Sequence, residues 1–210
     1  MPLEKHDQTP IGPKACGASC IMCAAQELGT LVDPFSDTTA DAIYRRIEKA
    51  PNDESLVSKV AAELGTLGLK TELIEDADLT AKQGGLRDNG VTGPLAAGFG
   101  SAYADFKSDV KGKLTWTKRR RPNAFTAADF DGEARVMLVV GIATGQNQGK
   151  THWVMARKDG QGQIMIMNPD GGTDSLDPGL LHWMNGPPAQ PLKIGNVLYI
   201  FTGLALRVTK

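Results

Sequence analysis

The feature that most restricts the fold is a change of texture near Arg135. Beyond it come short apolar runs at 136–140, 151–157, 163–167 and 197–208, separated by turn-formers such as Asp159-Gly160-Gln161-Gly162. Runs of this length between glycine-rich turns predict antiparallel strands. Before it, apolar residues recur at helical spacing. One helix is expected from Cys16 to a stop at Gly29. A second should start at a cap on Asp37 and run to about Lys49, and a third should be capped by Asp53 and end near Gly65 and Gly68. Residues 70–74 read as a short extended piece, and 84–131 carry no persistent period. Helices first and antiparallel sheet second make an α+β class, expected as one domain over 1–210: an irregular lead-in (1–15), a helical part (16–68) and a sheet (135–208).

Totals exclude more than they assign. With 41% hydrophobic and 22% charged residues the chain can bury a core, and a net charge of -1 shows no global commitment to nucleic acid or to an anionic membrane. The run Lys118-Arg119-Arg120-Arg121 reads as a solvated loop. No stretch reaches the roughly 18 apolar residues of a membrane span, and the N-terminus lacks the apolar block of a secretory signal. The expectation is a chain that is cytoplasmic as synthesised, or delivered without such a signal, with no nucleic-acid partner and no membrane insertion.

All three cysteines fall between Cys16 and Cys23, which is not a disulfide framework. A cysteine in the first turn of a helix meets unpaired N–H groups and the positive end of the helix dipole, both of which favour thiolate. Cys16 has that place. Gly17 after it would let a substrate backbone approach. Cys20 and Cys23, one and nearly two turns on, read as core thiols.

A thiolate nucleophile needs a base, and the chain has three histidines. His6 lies in the lead-in and reads as solvated; His182 lies in an apolar neighbourhood and reads as structural. His152 opens the strand Thr151-His152-Trp153-Val154-Met155, where its side chain is expected to face the helix start together with Val154, with Trp153 on the other face. One hairpin later stands Asn168-Pro169-Asp170, so that Asn168 could orient the imidazole.

Cys16-Gly17 at a helix start, His152-Trp153-Val154, and Asn168-Pro169 resemble the papain-like cysteine peptidase superfamily, and within it the bacteriocin-processing (C39-like) peptidases. The likeness covers the helix at 16–29 and the stretch 135–170, and His152 lies within the roughly 130–150 residues downstream of the cysteine that papain-type enzymes show. It implies a papain-like fold with the nucleophile at a helix N-terminus packed on the sheet, and a Cys16, His152, Asn168 thiol peptidase that uses no cofactor and no metal. It also implies a protein or peptide substrate cut after small residues such as paired glycines. Small free-standing relatives act as antibacterial effector toxins restrained by an immunity protein. Asn168 stands where bacteriocin-processing enzymes carry aspartate, and asparagine is the papain choice. The oxyanion glutamine of the family stands about six residues before the cysteine, where this chain has Pro10; Gln8 is the nearest candidate, if residues 10–14 loop outward.

Three other readings use the same residues. A peptidoglycan amidase or endopeptidase would employ the same thiol chemistry. The Cys16-x3-Cys20-x2-Cys23 spacing also matches the iron-sulfur triad of radical S-adenosylmethionine enzymes, which needs a loop wrapped round the cluster. A non-catalytic peptide-binding domain would tend to lose the nucleophile or the base. Finally, 145–151 resembles a phosphate-binding loop out of register, but a strand rather than a helix is expected to follow, so it reads as a hairpin.

Overall fold

A computed structural model describes residues 4–80, 104, 106–143, 148–171, 174–176 (backbone), 179–186 and 190–210. Three helices come first: α1 (Cys16–Glu27), α2 (Asp37–Ile47) and α3 (Val57–Thr66). Then follow β1 (Lys70–Asp76), the single turn α4 (Ala77–Thr80), β2 (Trp116–Arg119) and a 3-10 turn (Ala127–Phe130). The chain continues through β3 (Arg135–Ile142), β4 (Thr151–Lys158), β5 (Ile164–Met167), β6 (Asp174–Leu176), α5 (Leu180–Asn185), β7 (Leu192–Ile194) and β8 (Val197–Thr209). The class is α+β. The sheet runs β2-β1-β8-β3-β4-β5-β6, with β7 paired to β8, and every pairing is antiparallel except β1 with β2.

Alternation along the strands gives the sheet two buried faces. Met137, Val139, Trp153, Met155 and Met167 face α1, α2 and α3. Val136, Leu138, Val154, Ala156 and Ile166 face a second core closed by Phe125, Phe130, Trp183 and Met184. Helix α1 lies between the sheet and the other two helices and packs on β4. Its burial explains its composition, since Ala18, Cys20, Ile21, Met22, Cys23, Ala24 and Ala25 are all fully enclosed.

Gly29 ends α1 as its place predicts. It has φ 67°, and the N–H groups of Gly29 and Thr30 return to Gln26 O and Ala25 O at 3.1 and 2.9 Å, the Schellman arrangement. At α2 the cap is Ser36, whose side chain accepts from Thr39 N, with Asp37 the first helical residue and Ile47 the last. Asp53 does not cap α3. It sits in the preceding turn on Lys14 and Glu54 N, and α3 receives its acceptor from Asp109, which takes the Ser58 N–H at 2.8 Å. A carboxylate 51 residues downstream thus does the work that the nearest one was expected to do.

The sheet also starts earlier than expected, because β1 and β2 join it before residue 135 and β6 and β7 extend it. The unassigned 84–131 stretch contains β2, a helical turn at 106–110 and the 3-10 turn, while its first part, 84–103, lies outside the described residues. Nor is the basic run a solvated loop. Lys118 and Arg119 end β2, Arg119 pairs with Asp129 at 2.7 Å, and Arg121 pairs with the fully buried Asp76 at 2.7 Å. Among the described residues no helix is long and apolar enough to cross a membrane.

Candidate active site

Cys16 is the first residue of α1, and Ala15 before it supplies no side-chain cap, so the orphan N–H groups of this helix start are left to other partners. Its own N–H, that of Gly17 and that of Trp153 all approach the sulfur and favour thiolate. Burial outweighs them, and together with the nearby Glu54 carboxylate holds the thiol at about 11. Cys20 and Cys23 are enclosed in the core one and two turns along, and burial raises Cys20 well above its ordinary value. The three sulfurs therefore lie along one continuous helix, not round a loop that could wrap a cluster.

His152 opens β4, opposite Val140 of β3. The sheet face against α1 carries Trp153 and Met155, whereas Val154 belongs to the opposite core. This reverses the expected orientation of the strand: Trp153 is the residue that packs on the helices, and its N–H is what reaches Cys16. His152 attains the same cleft as Cys16 because it stands at the end of the strand, where the sheet gives way to solvent.

Asn168 follows β5, and its Oδ1 meets His152 Nε2 at 2.8 Å. The same oxygen accepts the Asp170 backbone N–H at 3.1 Å, and Asn168 Nδ2 donates to the Tyr199 hydroxyl at 3.0 Å. A backbone N–H can only donate, so the amide orientation is fixed. Nε2 must then carry the imidazole proton, which leaves the lone pair on Nδ1. Tyr199, fully buried on β8, also stacks on the imidazole at 5.6 Å and 21°. Burial lowers the His152 pKa from its ordinary value, opposed by the Asn168 hydrogen bond and the Asp170 charge. The enclosed Tyr199 phenol is pushed up to about 12. Burial thus favours the neutral form of both the thiol and the imidazole.

The lead-in does form a loop. Gln8 O accepts from the N–H groups of Ile11 and Gly12, and Gln8 N donates to Pro169 O, each at 2.9 Å. The chain turns tightly after Gln8, which is held against the Asn168-Pro169 corner, and Pro13 and Lys14 return to the lining of the same cleft. Its side chain is 5% exposed, lines the cleft, and has an Oε1 with no hydrogen-bond partner.

The other two histidines are placed apart from this cleft. His182 is exposed on α5. His6 is buried rather than solvated, with Nδ1 at 3.0 Å from Ser19 Oγ and Nε2 at 2.9 Å from Asp37. It pins the lead-in to α1 and α2.

Sequence reading missed the wall formed by Glu54 and Ser55, which line the cleft beside Cys16 with Lys14, Lys150 and Asp170. Gly17 has a different reason from the one expected. A Cβ there would lie 2.9 Å from Ser55 Oγ, so glycine lets α1 pack against this wall. Tyr199 was also missed; nothing local in a β-strand distinguishes a tyrosine that braces a distant asparagine from one that fills a core. The phosphate-loop resemblance falls away because Thr151 begins a strand, although 144–147 lie outside the described residues. Among the described residues no group of histidine, cysteine or carboxylate side chains could hold a metal ion. Comparison of the chain with protein families, curated proteins and solved structures found no match.

Proposed function

We propose that the protein is a papain-like cysteine hydrolase acting on amide bonds, with Cys16 as nucleophile, His152 as base and acid, and Asn168 as the orienter of the imidazole. The observation that carries this reading is the 2.8 Å contact of His152 Nε2 with Asn168 Oδ1 in the cleft that Cys16 opens into. That contact frees Nδ1 to take the thiol proton. Sulfur then bonds to the carbonyl carbon, the Gln8 amide and a helix-start N–H hold the oxygen as it gains charge, and the C–N bond breaks as His152 protonates the leaving amine. Water, deprotonated by the same nitrogen, releases the acid and restores the thiol.

Burial favours the neutral forms of the thiol and the imidazole, so on this reading the thiolate forms as substrate displaces water. The cleft beside Cys16 is lined by Gln8, Glu54, Ser55 and Trp153, which suits an extended peptide. A protein or peptide substrate, an immunity protein as inhibitor and an effector role remain part of this reading, as does the cell-wall peptide alternative.

Cut-site proteomics on cells expressing the wild type and variants tests it. Cys16→Ala and His152→Ala should each lower cleavage by about a thousandfold or more, and Asn168→Ala by less, because the imidazole survives with poorer orientation. Cleavage by the His152→Ala protein at the wild-type rate overturns the mechanism. Toxicity only after fusion to an export signal would assign the substrate to the cell wall.

A further inference from the structure

Glu54 and Ser55 close the connection between α2 and α3, and that connection is rigid. Lys49 N donates to Glu54 O at 2.8 Å, Leu56 N donates to Ile47 O at 3.0 Å, and Gly17 seats Ser55 against α1. The wall beside Cys16 is therefore fixed in place. Its polar atoms are nevertheless unmet: Ser55 Oγ has no hydrogen-bond partner, and across the cleft neither has the buried Gln8 Oε1. Glu54 lines the same cleft and is exposed to solvent.

Burial is the main obstacle to the thiolate that the reaction requires, and the Glu54 carboxylate beside Cys16 adds to it. Of the two lysines on the cleft lining, Lys14 is held by Asp53 at 2.9 Å, and Lys150 shares the lining with a second carboxylate, Asp170.

We propose that the cleft selects substrates carrying a cationic, donor-rich group, an ammonium or guanidinium, beside the bond that Cys16 attacks, and that Glu54 receives it. This rests on the reading of Cys16 as the nucleophile. Arrival of the cation offsets the Glu54 charge, a smaller contribution than burial to the raised thiol, so the correct substrate helps to activate its own nucleophile.

The test uses two methanethiosulfonate reagents, one bearing a trimethylammonium group and one a sulfonate, with modification of Cys16 followed by mass spectrometry and rates normalised to free cysteine. The cationic reagent should react at least about threefold faster than the anionic one, and the ratio should shrink as salt is added. Glu54→Gln should bring the ratio close to one. Equal rates in the wild type, a preference for the anionic reagent, or an unchanged ratio in Glu54→Gln would overturn the proposal. Matched peptides separate the sources of the cation. A lysine preferred over norleucine and lost in Glu54→Gln assigns a basic side chain, a free amino terminus preferred over an acetylated one assigns the terminus, and no preference in either pair counts against the proposal. The reagent ratio needs no hydrolysis. If the Cys16→Ala protein still cuts substrate while the ratio holds in the wild type, the hydrolase reading fails and the charge of the cleft stands.

Discussion

The cleft at the start of α1 and the basic run that leaves β2 treat their polar groups in opposite ways. In the cleft, Gln8 Oε1 and Ser55 Oγ are left without partners. Along the basic run each cation has an acid within ion-pair distance: Lys118 with Glu75, Arg119 with Asp129, Arg120 with Asp78 and Arg121 with Asp76. Arg121 also donates to the carbonyls of Met184, Asn185 and Gly186 at the end of α5. Polar groups that the fold has already answered are architecture. Those it leaves unmet beside a concave wall mark where the fold has not been optimised for packing alone.

The largest effect should come from breaking the answered region. Asp76 is fully buried and also accepts from the N–H groups of Asp78 and Leu79 at the start of α4. Arg121→Met strands that charge and should cost about 3–5 kcal/mol in urea unfolding, while Cys16 alkylates at nearly the wild-type rate. A cost below about 1 kcal/mol, or a thiol that responds strongly, would break the division between the two regions.

Tyr199→Phe probes the boundary, because its hydroxyl answers Asn168 inside the site. The ring can keep its stack on His152, but Asn168 Nδ2 loses its acceptor in a dry setting. The expected cost is about 1–3 kcal/mol of stability with a partial loss of turnover, the Asp170 N–H still holding the amide oxygen. Nitrogen NMR of the imidazole should show the Nε2–H tautomer in both proteins, with the signals broadened in the variant as Asn168 loosens. Identical spectra would make Tyr199 a core residue and nothing more.

Gln8→Ala removes a side chain whose oxygen has no partner, so folding should suffer little. Turnover at saturating substrate should fall by at least about tenfold with the Michaelis constant little changed, since an oxyanion donor acts on the transition state. Unchanged kinetics would return Gln8 to the lead-in and assign the oxyanion to another donor.

These two regions also show what the sequence could reveal. The places of Cys16, His152 and Asn168, at a helix start, near a strand end and after a strand, were legible because helix starts, strand ends and turn residues are written locally. Strands β3, β4, β5 and β8 were legible for the same reason. The partners of the basic run were not: Arg121 meets Asp76 across 45 residues, and Asp109 caps α3 across 51. Nothing in Asp53 announced that its carboxylate would go to Lys14 instead. The face of β4 was misjudged because alternation tells which residues share a side but not which side meets the helices. Glu54 and Ser55 entered the cleft through the packing of Gly17, a contact no spacing rule contains.

The smallest effect is a pH dependence of stability that separates the answered imidazole from an ordinary one. His152 is buried, and burial is the largest influence on it, lowering its pKa from the ordinary 6.5, while Asn168 and Asp170 pull it back up. In the unfolded chain the ring takes up a proton as pH falls through about 6.5. In the folded chain it resists, so below that pH the unfolded state binds more protons and stability declines, until the folded pKa is passed. Above it the group contributes no slope. The decline cannot exceed about 1.4 kcal/mol per pH unit for one site. Urea unfolding at about pH 5 and pH 7.5 should show a larger acid loss in the wild type than in His152→Gln, the difference cancelling the carboxylates common to both. Asp170→Asn should enlarge the loss, because removing a negative charge beside the ring lowers the folded pKa further. Parallel declines in all three proteins would mean that the ring is solvated enough to titrate normally, and the lowering of its pKa by burial would then have to be abandoned.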